Sequence, residues 1–436
     1  MKEYIAVFIG CAVLFAAAVL PDCAYAAGRP NPPMVYYVSP SGNNLNAGTL
    51  AAPFLNNTPV NALTLWPMDK VLYECNGIYN PLVVPSSGVA DSVITFGSYG
   101  VGAKPVITAA EHASVYGSGT GWETYGGSIW YHLLSADDSC YAGYNRNVLM
   151  TRVVTQATLN GNNKFRVGTA AGAGNDTLVV YVTAPADTGY VERSKAEALT
   201  SNSKNHITVQ DTRWTHGTSA VTTSENSANI HIISGTNITI ANCKSDSAGY
   251  AGIYTSAKPT TIKNTLLINN GSANVYADAD SGFLYNNDIV NGVRGILFAA
   301  NIKGWTIKNN IFVNQSINFI HISTFPMAYT GSNNLFYSTS SSNKWRRGST
   351  NFSTLSSWQD STGQESGSIV ADPRFVNAAA GDYRVLAIGP ADWGGTIISS
   401  VATDFNGRSR HYPPTIGAYE FYADYSPLMF FLMDDK

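Results

Sequence analysis

The 436-residue chain is short of charge. Asp, Glu, Lys and Arg together make up 13% of it, and Lys plus Arg number only 26. About a quarter is usual for a soluble domain. With a net charge of −3, no basic patch points to nucleic acid. Long apolar runs are equally scarce. The single one, residues 5–20, follows Lys2 and precedes Ala24-Tyr25-Ala26. That order predicts a cleaved secretory leader over 1–26, and a mature chain that does not span a membrane. The expected location is outside the cytoplasm: secreted, periplasmic or at the cell surface. Cysteine is sparse too. Beyond the leader stand Cys75, Cys140 and Cys243, in no zinc spacing and with one disulfide as the maximum.

What is abundant is Gly, Asn, Ser, Thr and Tyr, the composition of turn-rich β structure. Within it lies a repeat. One apolar column runs Ile240, Ile262, Leu284, Ile307, and a second runs Ile253, Val275, Leu297, Ile320, both with steps of 22, 22 and 23. Asn242, Asn264, Asn286 and Asn309 stand two places after the first column, and Asn333 extends the row. Asp211 takes the same place one longer coil earlier, after Val209. Such a period in strand-like composition predicts stacked coils. The apolar columns become buried ladders. A stacked carboxamide can bond to the coil above and the coil below, and Asn tolerates the left-handed backbone of a sharp bend.

The flanks carry a resemblance. YYVSPSGNN, NGIY and SGVADSVITFGSYG near the start, with DPRFVN and TIGAYEF near the end, resemble the opening and closing segments of secreted right-handed parallel β-helix proteins, the pectate-lyase-like superfamily. The resemblance implies an all-β right-handed parallel β-helix. Its expected parts are a cap with first coils over 27–110, a lateral β insertion over 111–200, central coils over 201–340 and a closing segment over 341–436. It also implies a polysaccharide partner. The protein is read as a monomer.

Candidate chemistry follows from the columns. If the second column points inward, Tyr254, Tyr276, Phe298 and His321 point outward. Four rings about 4.8 Å apart would suit the apolar faces of sugars, or would simply stiffen the sheet. Lys244 and Asp246 interrupt otherwise apolar columns, Arg213 lines up with Lys244, and His216 is close in sequence. With Arg294 at the edge of the outward face, Lys244 and Asp246 form the candidate acid–base group. Asp278 and Asp280, with Asp288 nearby, are the candidate ligands for Ca²⁺, the cation that lyases of this fold commonly use to offset a uronate. The site patterns of alginate lyases, pectate lyases and polygalacturonases do not map onto this chain. Two functions therefore stay open: a polysaccharide-active enzyme, lyase or hydrolase, on an acidic glycan, and a non-catalytic glycan-binding or adhesion protein.

Overall fold

The computed structural model describes residues 32–112 and 196–421, except 219–227, 300, 325–328, 341–343 and 387, and the strands of a lateral module between 123 and 194. The expected leader and Cys140 lie outside the described residues.

The chain winds into a parallel β-helix with three sheets of nine strands each. The first sheet runs from Val35–Val38 to Tyr329–Ser332 and the second from Ile78–Tyr79 to Ile369–Val370. The third runs from Leu82–Val83 to Thr350–Phe352. Every pairing within them is parallel except the last of the third sheet, where Trp345–Arg347 meets Thr350–Phe352 antiparallel.

The first apolar column is in register as predicted: Ile240, Ile262, Leu284 and Ile307 are consecutive partners and wholly buried. The second column needs one correction. Val275 pairs with Ile296, and Ile296 with Ile320, so Leu297 is not a member. Phe298, expected on the outer face, is fully buried in the core. The run Ile296-Leu297-Phe298 is apolar at every position, so alternation could not tell in from out.

Two corners per coil use left-handed backbone. Asp211, Asn242, Asn264, Asn286, Asn309 and Asn333 all have φ between 48° and 58° at the first. Ser247, Asn269, Asn291 and Asn314 repeat the device at the second. Short polar side chains reach this conformation at least cost after glycine.

The coil-to-coil ladder lies one residue further on. Asn287 Nδ2 donates to Asn310 Oδ1 at 2.9 Å, Asn310 Nδ2 to Asn334 Oδ1 at 3.0 Å, and Asn334 Nδ2 to Glu365 Oε2 at 2.8 Å. The three asparagines are fully buried. The predicted row makes just one such bond, Asn309 to Asn286 at 3.2 Å. It holds the closing segment instead. Asn264 donates to Thr403 O, Asn286 to Thr415 O, Asn309 to Thr396 O and Asn333 to Gly394 O. That segment lays Tyr383, Val385, Ile416 and Ala418 over Leu266, Ile268, Val290, Ile311 and Leu335 on the outside of the second sheet. The end of the stack is covered by the helix Leu355–Thr362, which buries Trp358.

The lateral module is β structure. One sheet has four strands and the other five, and the antiparallel pairing of Ala110–His112 with Val191–Ser194 ties the module to the coils.

Candidate functional site

The outer face of the third sheet carries one continuous row. Parallel register places Thr200, His231, Tyr254, Tyr276, Leu297, His321 and Arg346 on successive rungs. Tyr254, Tyr276 and His321 are therefore where the sequence predicted them, with Leu297 in the place expected for Phe298. The rings touch. Tyr254 and Tyr276 stack at 4.7 Å with planes 17° apart, and His231 meets Tyr254 edge-on at 4.9 Å. Tyr250 adds a ring 6.1 Å from Tyr276.

Stacking buries part of this row. Tyr254 is 3% exposed and His321 9%, whereas Tyr276, Arg294 and Arg346 are half-buried. Polar ends are also engaged. The Tyr254 hydroxyl donates to Asp278 Oδ2 at 2.7 Å; burial first, and then Asp278, raises its pKa. His231 Nδ1 is hydrogen-bonded to Glu197 Oε1, and Glu197 Oε2 accepts from Thr200 Oγ1 at 2.8 Å.

Arg294 lies on this same face. Its Nε donates to His321 Nδ1 at 3.1 Å and its Nη1 to Ser272 O at 3.4 Å. The first bond requires a bare Nδ1, so neutral His321 carries its proton on Nε2. Burial, then Arg294 and Arg346, holds the His321 pKa down to about 4. Burial and Arg346 also lower the Arg294 pKa. The two guanidinium groups thus feel each other. Among the described residues neither forms an ion pair with a carboxylate; Arg346 Nε donates to Gly348 O at 2.8 Å. Two adjacent cations without a counter-charge make a place for an anion.

The other two predicted acid–base residues are elsewhere. Lys244 and Asp246 are on the second sheet, in the strand Lys244–Asp246, so the predicted trio is not one site. Arg213 clamps Asp246 through Nε at 2.8 Å and Nη2 at 2.7 Å, and Lys244 Nζ is 3.8 Å from it. Burial lowers the Lys244 pKa. Buried His216 is held down to about 4, chiefly by burial. The charges of this group are largely spent on each other.

The two candidate calcium ligands are committed to different partners. Asp278 accepts from Tyr254 and Ser256, and Asp280 Oδ1 accepts from the Lys303 amide at 2.7 Å. Asp288 is not beside them. It is buried under the closing segment, where Oδ1 accepts from the Ala418 amide at 3.0 Å. Among the described residues no three acidic, His or Cys side chains converge. Two carboxylates already engaged fall short of the six to eight oxygens that Ca²⁺ takes, so these residues do not fit a calcium site.

Sequence reasoning missed Glu197, His231, Tyr250 and Arg346. His231 and Arg346 were reachable by extending the row one coil each way: His231 stands 23 residues before Tyr254, within the period, and Arg346 25 residues after His321, in a slightly longer coil.

Among solved structures the chain is similar to XylC in complex with xylose, at 14% identity over 72% of this chain and 66% of that chain, with a TM-score of 0.50. The chain is a right-handed parallel β-helix. A glycoside hydrolase (10% identity, 77% of this chain and 96% of that one, TM-score 0.47) and pectate lyase Pel9A (12%, 90% and 97%, 0.43) are also similar to this β-helix. At such identities the likeness is one of fold, and the β-helix spans just under two thirds of the XylC chain. No family model and no curated protein matches the sequence.

Proposed function

We propose that this β-helix is a polysaccharide-active protein. It holds an acidic glycan along the Tyr254–His321 face, with Arg294 and Arg346 receiving its carboxylates. One observation carries the reading: Arg294 is bonded to His321, whose neighbour on the next rung is Arg346, and neither guanidinium forms an ion pair with an acidic residue among the described residues. Tyr276 and Tyr250 beside them offer ring faces to the apolar side of a sugar. Likeness to a xylose-bound structure and the leader expected over 1–26 support a glycan met outside the cytoplasm. On the lyase reading, offsetting the uronate charge makes its α-proton easier to remove.

Binding of polygalacturonate, alginate and chondroitin sulfate, measured at low and high salt, tests this. Affinity for at least one polymer is expected, weakening with salt, and lost by about 10- to 100-fold in Arg294→Ala, the worth of one charge-assisted hydrogen bond. Salt-independent binding, or none, would overturn it.

A second reading, binding without turnover, has its own support: the Tyr254 hydroxyl and His321 Nδ1 already have partners. Absorbance of unsaturated products and reducing-end release, on the same polymers, separates the two.

A further inference from the structure

The closing segment turns a tryptophan outward. Trp393 is 55% exposed, and its backbone is left-handed, with φ 56°. A bulky side chain is a rare outlier in that region, which costs least for Gly, Asn and Asp. Trp393 is not part of the buried clusters inside the coils or over the second sheet.

Its ring is nevertheless fixed. It lies flat on His411, with centroids 5.3 Å and planes 9° apart. His411 Nδ1 is 3.3 Å from the buried carboxylate of Glu420, which Arg410 and Thr415 hold. The chain after Trp393 is pinned to two coils: Asn333 Nδ2 donates to Gly394 O at 3.1 Å and Asn309 Nδ2 to Thr396 O at 2.7 Å. With His411 behind one face of the indole, the exposed area lies on the other face and the edges. Next to this slab, Ile397, Ser399, Arg410, His411 and Tyr412 line a hollow of about 40 Å³. Tyr412 and Ile397 are themselves well exposed. One water needs about 10–15 Å³ of such space. The hollow therefore admits a hydroxyl or hydroxymethyl group, but no aromatic side chain.

We propose that Trp393 is a sugar platform. One pyranose ring of a glycan chain lays its C–H face on the indole, and an exocyclic arm enters the hollow between Tyr412 and Ile397. Shape selects the occupant. A protein partner covers about 800 Å² and seats aromatic or Arg anchors in pockets, and this hollow is too small for such an anchor. A sugar brings a flat apolar face edged with hydroxyl groups, which suits a rigid, flat, exposed ring. The platform is on the closing segment, so it acts independently of whatever the Tyr254–His321 face holds.

Titration with xylohexaose, cellohexaose and mannohexaose, read by saturation-transfer NMR, tests the proposal. At least one neutral hexamer is expected to bind at millimolar level or tighter. Trp393→Asn should weaken it about tenfold without lowering the melting temperature, because Asn suits the left-handed backbone. Tyr412→Ala should weaken it less. Arg294→Ala should leave it unchanged, which separates the platform from the third-sheet face. The proposal fails if no hexamer binds, or if Trp393→Asn binds as the native chain does. It also fails if that substitution lowers binding and melting temperature together, which marks a packing residue, or if it abolishes self-association, which makes the slab a contact between copies.

Discussion

Arg410 reaches back 146 residues to Asn264, its Nη2 donating to Oδ1 at 2.7 Å. The same buried guanidinium donates to Glu420 Oε2 at 3.3 Å and to the carbonyls of Thr415, Gly417 and Ala418. One side chain thus joins the corner row to the stretch around Ile416 and Ala418 that covers the second sheet. Arg410→Ala leaves Glu420 buried without this cation. A loss of about 3–5 kcal/mol is expected, read as a lower urea midpoint. Arg410→Lys should recover only part, since an ammonium cannot span these acceptors.

The interior ladder makes a separate prediction. Asn310 has ladder partners on both sides and is fully buried. Asn310→Ala strands the Asn287 amide and Nδ2 donors that its Oδ1 accepts, while Asn334 Oδ1 keeps the residue-310 backbone amide; each orphan costs about 1–3 kcal/mol. Asn309→Ala, one residue away, should cost less in global stability and chiefly loosen the closing segment, because its amide goes to Thr396. Hydrogen exchange across 394–421 distinguishes the two.

Stability should depend on pH through Asp288. Burial raises its pKa from 3.8 to about 7, against smaller opposing pulls from the Ala418 amide and Arg410. The folded chain keeps a proton that the unfolded chain gives up. Its favourable share is therefore complete below about pH 4 and is lost as pH rises through about 7, at roughly 1.4 kcal/mol per unit. Buried His216 and His321, both held near 4, act in the opposite sense: their share is present above about 6.5 and lost on acidification. Comparison with Asp288→Asn isolates the carboxyl. Between about pH 5 and pH 8 the native chain should lose stability relative to the variant. Parallel curves would contradict this.

On the proposed face, Tyr276→Leu keeps an apolar side chain but removes the ring that stacks on Tyr254. A fall of about 0.5–1.5 kcal/mol in glycan affinity is expected, with little change in melting temperature, since Tyr276 is half-buried. Isothermal titration with the polymer that binds best measures it.

The coils were legible because a repeat writes each contact several times. Ile240, Ile262, Leu284 and Ile307 fix the rungs, and the corner asparagines fix the bends. Phe298 was misplaced because one coil is a residue short and the next a residue long, in a segment apolar on both faces. The work of Asn264 was hidden for another reason. Its partners, Thr403 and Arg410, lie in a segment without a period of its own. The split between Lys244–Asp246 and Arg294 was also hidden, because deciding which side of a coil a residue faces requires knowing where each corner falls.

The backward turn at Thr350–Phe352 has a bearing on how such a chain can lengthen. A rung added beyond Arg347 would meet a neighbour running the wrong way. Growth by duplication meets no such obstacle inside the pile, where every interior turn of the winding offers the same polarity above and below.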